Sequence, residues 1–130
     1  MLTIETQLMK DPTTRKNWTF VRSNLHGLVL DIGCGNGLVT HVHHTTIGLD
    51  IMVDDNCIIP FVRGDFHHLP FNLDTFDVVI LSHSLEHSPR PYAALQEVYR
   101  VLKLNGKVIV MSPNSRNFLW PVYLALHGYI

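Results

Sequence analysis

Three glycines spaced two residues apart, Gly33, Gly35 and Gly37, form the segment of this sequence best suited to bind a ligand. They follow a short apolar run, which predicts a turn at the end of a buried strand. Backbone N–H groups at such a turn can bind a ligand, and glycine lets the ligand come close. Asp31 stands just before the turn, where its carboxylate would repel a pyrophosphate and favour a ligand that carries an ammonium group.

The glycine spacing differs from that of dinucleotide-binding proteins. Their fingerprint reads G-x-G-x-x-G, whereas here one residue fewer precedes the last glycine. Together with the position of Asp31, this spacing counts against a nicotinamide-dependent oxidoreductase, which is one alternative for this chain.

Two further aspartates end the next two predicted strands. Asp50 closes the segment TIGLD and is suited to accept hydrogen bonds from ribose hydroxyls. Asp65 follows the third predicted strand. Because ligands of open α/β sheets bind at the carboxyl ends of the strands, these carboxylates and the glycine turn together predict a site for a nucleoside-type ligand.

Short apolar strands that alternate with helices indicate an α/β domain with a mainly parallel sheet of about five strands. We expect a single domain over 1–130, with an N-terminal helix over about 12–26, a motif-bearing core over 28–113 and an apolar C-terminal segment over 118–130. The predicted strands are 28–32, 46–50, 58–62, 76–81 and 107–111, with Pro60 marking an edge strand. Further helices are expected through 38–40, from Pro91 to Asn105-Gly106, and from 118 to 126.

Composition excludes several other classes of protein. The 130 residues carry a net charge of −1, and the basic residues are scattered, which argues against general nucleic-acid binding. No apolar run is long enough to span a membrane, and the N-terminus lacks a signal-peptide core. Cys34 and Cys57 show no spacing typical of a metal site or a disulfide framework. We therefore expect a soluble protein in the cytoplasm.

Five segments in order resemble the motifs of class I, Rossmann-like S-adenosylmethionine-dependent methyltransferases, in particular small-molecule enzymes of the type 11 kind. They are VLDIGCGNG, IGLDI, RGDFHHLPF, FDVVILSHSLEH and ALQEVYRVLKLNGKVIVMSP, and they cover about residues 28 to 113. The resemblance implies a three-layer αβα sandwich, S-adenosylmethionine as co-substrate and a small-molecule methyl acceptor.

The resemblance also implies a role for residues at each strand end. Asp50 would bind the ribose hydroxyls, and Ile51 would pack on the adenine. Asp65 would accept from the adenine amino group, with Phe66 beside the ring, and Ser82 would lie near the methionine amino group and the sulfonium. The loop residues that would hold the methionine part are Asp31, Gly33, Cys34, Gly35 and Gly37.

The segment after the fourth predicted strand contains His83, Glu86 and His87. On a helical turn these three side chains would share a face. Their role stays open between a general base, for which His83 and His87 are the candidates, a metal site, and a structural or solvent-exposed role. We favour no metal, because a fourth ligand is not evident. The other histidines, including His67 and His68, are interpreted as polar loop residues.

The segment after the fifth predicted strand contains nothing that would supply the C-terminal β-hairpin of the resembled family. The fifth strand would then be an apolar edge, which proteins normally cover. Either the C-terminal segment folds back over it or a second chain covers it, and we expect self-association through this edge and residues 118–130. A truncated, non-catalytic S-adenosylmethionine-binding or interaction module is therefore the alternative to an active methyltransferase.

Overall fold

The computed structural model describes residues 2–52, 54–111 and 122–124, which form a six-stranded sheet with helices on both faces. The strand order is β3-β2-β1-β4-β5-β6, and the first five strands in this order are parallel. The strands are β1 (Val29–Ile32), β2 (Thr46–Asp50), β3 (Phe61–Arg63), β4 (Phe76–Ser82), β5 (Leu102–Met111) and β6 (Val122–Leu124), and the helices are α1 (Leu2–Leu8), α2 (Pro12–Ser23) and α3 (Pro91–Val101). The Rossmann-like α/β fold expected from the sequence is confirmed.

Both faces of the sheet are buried, which explains the continuous apolar runs of its central strands. Alternate residues of β1 and β4 point to opposite faces. On one face Leu30 and Val79 pack with Val98 of α3, and on the other Val29 and Val78 pack with Val21 of α2. Strand β1 lies in the interior of the sheet because it pairs with β2 on one edge and with β4 on the other.

The helix predicted over about 12–26 is α2, and it begins at Pro12 as predicted. The Asp11 carboxylate accepts a hydrogen bond from the Thr14 N–H at 2.8 Å, and Pro12 occupies the first turn. The helix ends at Ser23, earlier than the predicted boundary at about 26. An additional helix, α1, precedes it. None of the helices in the described part of the chain has the length and hydropathy of a membrane-spanning segment.

The helix predicted through 38–40 is wrong, since this connection is built of turns. Arg22 of α2 holds it by donating to the carbonyl oxygens of Leu38 at 2.7 Å and Val39 at 2.9 Å. Thr40 in this connection is fully buried, and its hydroxyl donates to the carboxylate of Asp31 in β1. The connection between β1 and β2 is therefore positioned by polar contacts.

The boundary between α3 and β5 also differs from expectation. The helix ends at Val101, and Leu102 already pairs with Phe76 of β4. Asn105 adopts a positive φ of 64° inside β5, where the pairing with β4 shifts its register. The Asn-Gly pair was expected to end the helix and instead marks an irregularity within a strand.

The C-terminal segment contains a strand where the sequence predicted a helix. Residues Val122–Leu124 form β6, which pairs antiparallel with Val108–Val110 of β5. The unpaired backbone groups of β5 account for this, because a short segment with a β-branched and an aromatic residue can satisfy them as a strand. The fifth strand is therefore covered from the same chain over these three pairs. The rest of the predicted helix lies outside the described residues.

Arg100 fastens the segment before β4 to α3. Its guanidinium donates to the carbonyl oxygens of Leu69 and Phe71, each at 2.8 Å, and to both carboxylate oxygens of Glu97. Glu97 in turn accepts from the Leu69 N–H at 2.7 Å.

We expect Arg100→Ala to lower the free energy of unfolding by about 2 kcal/mol, because two carbonyls and a carboxylate lose their donor. Chemical denaturation measures the effect. Arg15→Ala is the matched control, since this exposed helical arginine makes one long contact to a carbonyl, and its loss should cost less than about 0.5 kcal/mol. If both variants lower the free energy of unfolding by the same amount, the Arg100 contacts do not stabilise the fold as proposed.

Candidate functional site

A cleft of about 620 Å³ opens at the carboxyl ends of the central strands. Eight of the residues singled out in the sequence line it: Gly33, Asp50, Ile51, Asp65, Phe66, Ser82, His83 and His87. Sequence reasoning missed other residues of its wall, namely Ile32, Leu49, Gly64, His67, Ser84, Pro89 and Arg90. The topology therefore brings three strand ends and the segment after β4 together around one space, as expected of a parallel sheet.

The turn after β1 makes a contact that only glycine allows. Gly33 has a φ of 76°, and a Cβ atom at this position would lie 2.6 Å from the backbone oxygen of Ser82. The Gly33 N–H donates to the carbonyl of Leu49 at 2.7 Å. The turn is thereby drawn against the ends of β2 and β4, and its backbone forms part of the cleft wall.

Asp50 links the end of β2 to the glycine turn. One carboxylate oxygen accepts from the Gly35 N–H at 3.0 Å, and the other accepts from the Met52 N–H at 3.1 Å. Each carboxylate oxygen can accept a second hydrogen bond, so Asp50 keeps acceptor capacity for hydroxyl donors in the cleft. Ile51, which follows it, exposes most of its side chain on the same wall.

Asp31 lies beneath the glycine turn and does not line the cleft. It is buried, and its carboxylate oxygens accept from the hydroxyls of Thr40 at 2.7 Å and Ser82 at 2.9 Å. Burial raises the pKa of this carboxyl to about 6, the two hydroxyl donors oppose the rise, and the charge of Asp50 adds to it. Ser82, which donates to Asp31, lines the cleft, whereas Asp31 itself does not.

Three other members of the predicted loop set also lie outside the cleft wall. Cys34 is buried, and its thiol donates to the Gly35 carbonyl at 3.7 Å. Burial, the nearby Asp31 carboxylate and the Cys57 thiol raise the Cys34 pKa. Gly37 packs against Ile59. Cys34, Gly35 and Gly37 therefore belong to the turn but do not line the cleft.

The segment after β3, next to the end of β2 in the sheet, contributes Asp65, Phe66 and His67 to the cleft wall. Hydrogen bonds from the backbone and the ring of His67 lower the pKa of Asp65, and burial opposes them weakly. His67 was interpreted as a loop residue, but its side chain is 8% exposed and lines the cleft, whereas the neighbouring His68 is exposed. The sequence pattern RGDFHHLPF holds no signal that separates the two.

His83 and His87 both line the cleft, but they do not form the helical face expected of them. His83 has a positive φ of 50° and precedes a single 3₁₀ turn over Leu85–His87. The nearest pair is His87 with Glu86 at 3.9 Å, and the His87 side chain is 78% exposed. No group of three or more His, Cys, Asp or Glu side chains in the described part of the chain is arranged to hold a metal ion.

Comparison with known proteins identifies the family of this site. Residues 30–110 match the family described as "Methyltransferase domain". The chain belongs to this methyltransferase family. The match begins inside β1 and ends inside β5, so it contains every strand end that lines the cleft.

Individual relatives share this part of the chain. Over 115 residues the chain is 31% identical to 2-methyl-6-phytyl-1,4-hydroquinone methyltransferase 1 of Oryza sativa, covering 72% of this chain and 33% of that protein. It is 32% identical over 116 residues to the ubiquinone/menaquinone biosynthesis C-methyltransferase of Burkholderia mallei, covering 74% and 48%. The chain thus spans a third to a half of the length of these relatives.

A solved structure shows the same fold. The crystal structure of a SAM-dependent methyltransferase from Archaeoglobus fulgidus superposes with a TM-score of 0.66 at 26% identity, covering 87% of this chain and 58% of that one.

The raised pKa of Asp31 predicts how stability depends on pH. Between its ordinary value of 3.8 and about 6, the folded chain holds this proton and the unfolded chain releases it. The contribution of Asp31 to stability therefore declines as pH rises through that window. We expect Asp31→Asn to be more stable than the wild type at pH 7, by up to about 3 kcal/mol, and to lose this advantage below about pH 4.

Denaturation of both proteins between pH 4 and pH 7.5 measures the difference. Comparing the two cancels the other carboxyls, such as Glu97, whose pKa is lowered by Arg100 and which contribute with the opposite sign. Parallel stability curves for the two proteins would show that Asp31 is not the titrating group.

Proposed function

We propose that the cleft binds S-adenosylmethionine and that this domain transfers its methyl group to a small-molecule acceptor. The observation that carries the proposal is the convergence of Asp50, Asp65 and the backbone at Gly33 on one cleft of a methyltransferase-family domain. The co-substrate combines a charged amino acid, a ribose and an adenine, and the cleft wall contains both hydrogen-bond acceptors and apolar side chains.

The properties of the cleft fit such a ligand. Its volume of about 620 Å³ falls within the usual range of about 300–1,000 Å³ for small-molecule sites. Two carboxylates line it, Asp50 as an acceptor for hydroxyl donors and Asp65 as an acceptor for an amino donor. Ile51 and Phe66 add apolar surface to the same cleft. The close approach of Gly33 to Ser82 keeps the backbone free of side chains where the amino-acid end would lie.

The residues of this chain contribute mainly alignment. When bound, the co-substrate supplies a methyl group on a sulfonium, which is already activated towards an in-line displacement. Holding two reactants in line can lower a barrier by about 7–11 kcal/mol. In this proposal the backbone at Gly33 and Ser82 fixes one end of the co-substrate, and Asp50 fixes the ribose.

His83 and His87 are the candidates for proton removal from the acceptor. Both line the cleft at the segment after β4 and have exposed rings that an incoming acceptor can reach. A general base is needed where the methylated atom carries a proton that must leave. One relative is named as a hydroquinone methyltransferase and another as a C-methyltransferase of ubiquinone/menaquinone biosynthesis, so a phenolic ring is the first acceptor class to test.

The alternative of a non-catalytic binding module is supported by no comparison. Self-association through the edge of β5 and residues 118–130 stays a prediction, and the pairing of β5 with β6 within one chain weakens its original basis. A cytoplasmic location also stays a prediction.

We expect Asp50→Ala to weaken the binding of S-adenosylhomocysteine, the product form of the co-substrate, by roughly tenfold or more. The reason is the loss of hydrogen bonds from ribose hydroxyls to a charged acceptor, worth about 1.5–3 kcal/mol each. Isothermal titration calorimetry measures the affinity.

Asp55→Ala is the matched control, because this aspartate is exposed in the connection between β2 and β3 and does not line the cleft. Its affinity should equal that of the wild type. If Asp50→Ala also binds like the wild type, the ribose site is assigned wrongly.

We expect methyl transfer to proceed without a divalent metal, since His83, Glu86 and His87 are not arranged as a ligand set. Turnover with a hydroquinone acceptor is measured before and after treatment with a chelator and dialysis, and should be unchanged. Activity that disappears with the chelator and returns with one added metal would contradict this expectation.

A further inference from the structure

The carboxylate of Asp65 is held asymmetrically by His67. A single oxygen, Oδ1, accepts both the backbone N–H of His67 at 2.9 Å and the ring nitrogen Nδ1 at 2.6 Å. The other oxygen, Oδ2, accepts no hydrogen bond from the described residues. Asp65 is half exposed and lines the cleft, so the carboxylate keeps one free acceptor oxygen at the ligand site.

The His67 ring is itself fixed from the far side. Its Nε2 lies 2.6 Å from the Ser88 hydroxyl oxygen, which also accepts from the Arg90 N–H at 3.0 Å. A neutral ring with its proton on Nδ1 satisfies every member of this chain, because Nδ1–H donates to Asp65 and Nε2 accepts from the Ser88 hydroxyl. The Phe66 ring packs against His67 with centroids 4.5 Å apart.

This chain of bonds connects two walls of the cleft. Asp65 and His67 follow β3, whereas Ser88 and Arg90 belong to the segment between β4 and α3. The side chain of His67 is buried although it lies in a loop, and both of its ring nitrogens are engaged. The neighbouring His68 is exposed, and no hydrogen bond of its ring is found among the described residues.

We propose that His67 is a positioning residue that makes the site selective for a purine bearing an amino group at carbon 6. Its backbone N–H and its ring both donate to Oδ1 of Asp65. These two hydrogen bonds fix the Asp65 carboxylate, so that Oδ2 faces the base as an acceptor. A 6-amino group donates to that oxygen, whereas a 6-keto oxygen would meet it as a second acceptor and be rejected. This inference rests on the proposed binding of an adenosyl ligand in the cleft.

The test compares two ligands by calorimetry: S-adenosylhomocysteine and its deaminated analogue, S-inosylhomocysteine. The wild type should bind the adenosyl ligand roughly tenfold or more tightly than the inosyl ligand, because the 6-keto oxygen faces a charged acceptor instead of donating to it. In His67→Ala the ratio of the two affinities should fall severalfold, with the loss concentrated on the adenosyl ligand.

Two conservative variants separate positioning from folding. The amide nitrogen of His67→Asn can replace the Nδ1 donor to Asp65, so this variant should keep the selectivity ratio. The amide of His67→Gln reaches the position of Nε2, towards Ser88, and should lose the ratio. His68→Ala removes the neighbouring exposed imidazole and should leave the ratio unchanged.

The outcomes distinguish this inference from the proposed function. If the wild type binds neither ligand, the proposed cofactor site is wrong and the inference falls with it. If the wild type prefers the adenosyl ligand but His67→Ala and His67→Gln weaken both ligands by the same factor, the role of His67 is overturned while the cofactor site stands. Selectivity lost in His67→Ala and retained in His67→Asn supports the proposal.

Discussion

The contact between the turn after β1 and the end of β4 is the constraint on which the site depends. Gly33 leaves no room for a Cβ atom against the Ser82 carbonyl oxygen, and its N–H is held by Leu49 of β2. The turn after β1 therefore contacts the ends of both β2 and β4. A ligand at this edge of the sheet faces main-chain atoms and the carboxylates just beyond them, and larger side chains are excluded from that point.

A buried polar network supports this contact from below. The Asp31 carboxylate binds hydroxyls from Ser82 of β4 and from Thr40 in the connection between β1 and β2. Arg22 continues the network to α2 through the carbonyls of Leu38 and Val39. The connection between β1 and β2 is built of turns, and these hydrogen bonds position it. The cost is a buried carboxyl whose pKa is raised to about 6.

The order and position of the elements could largely be predicted from local pattern. Apolar runs located β1, β2, β4 and the second half of β5, because most residues of these runs are buried in a parallel sheet. The predictions failed where partners distant in the chain decided the structure. The segment around Leu102 left α3 because Phe76 pairs with it, and Val122–Leu124 became a strand because β5 offered unpaired backbone groups.

The amino-acid sequence by itself determined the family, the parallel sheet and the strand ends that carry the site, because these depend on residue type and spacing along the chain. Tertiary structure alone decided which of these residues reach the cleft. Asp31 and Asp50 both end predicted strands, yet Asp31 is buried between Thr40 and Ser82 while Asp50 lines the cleft. His67 and His68 are adjacent and identical, yet only His67 meets Ser88 and Asp65. Burial and hydrogen-bond partners are set by segments far apart in sequence, and local pattern carries no information about which of them will meet.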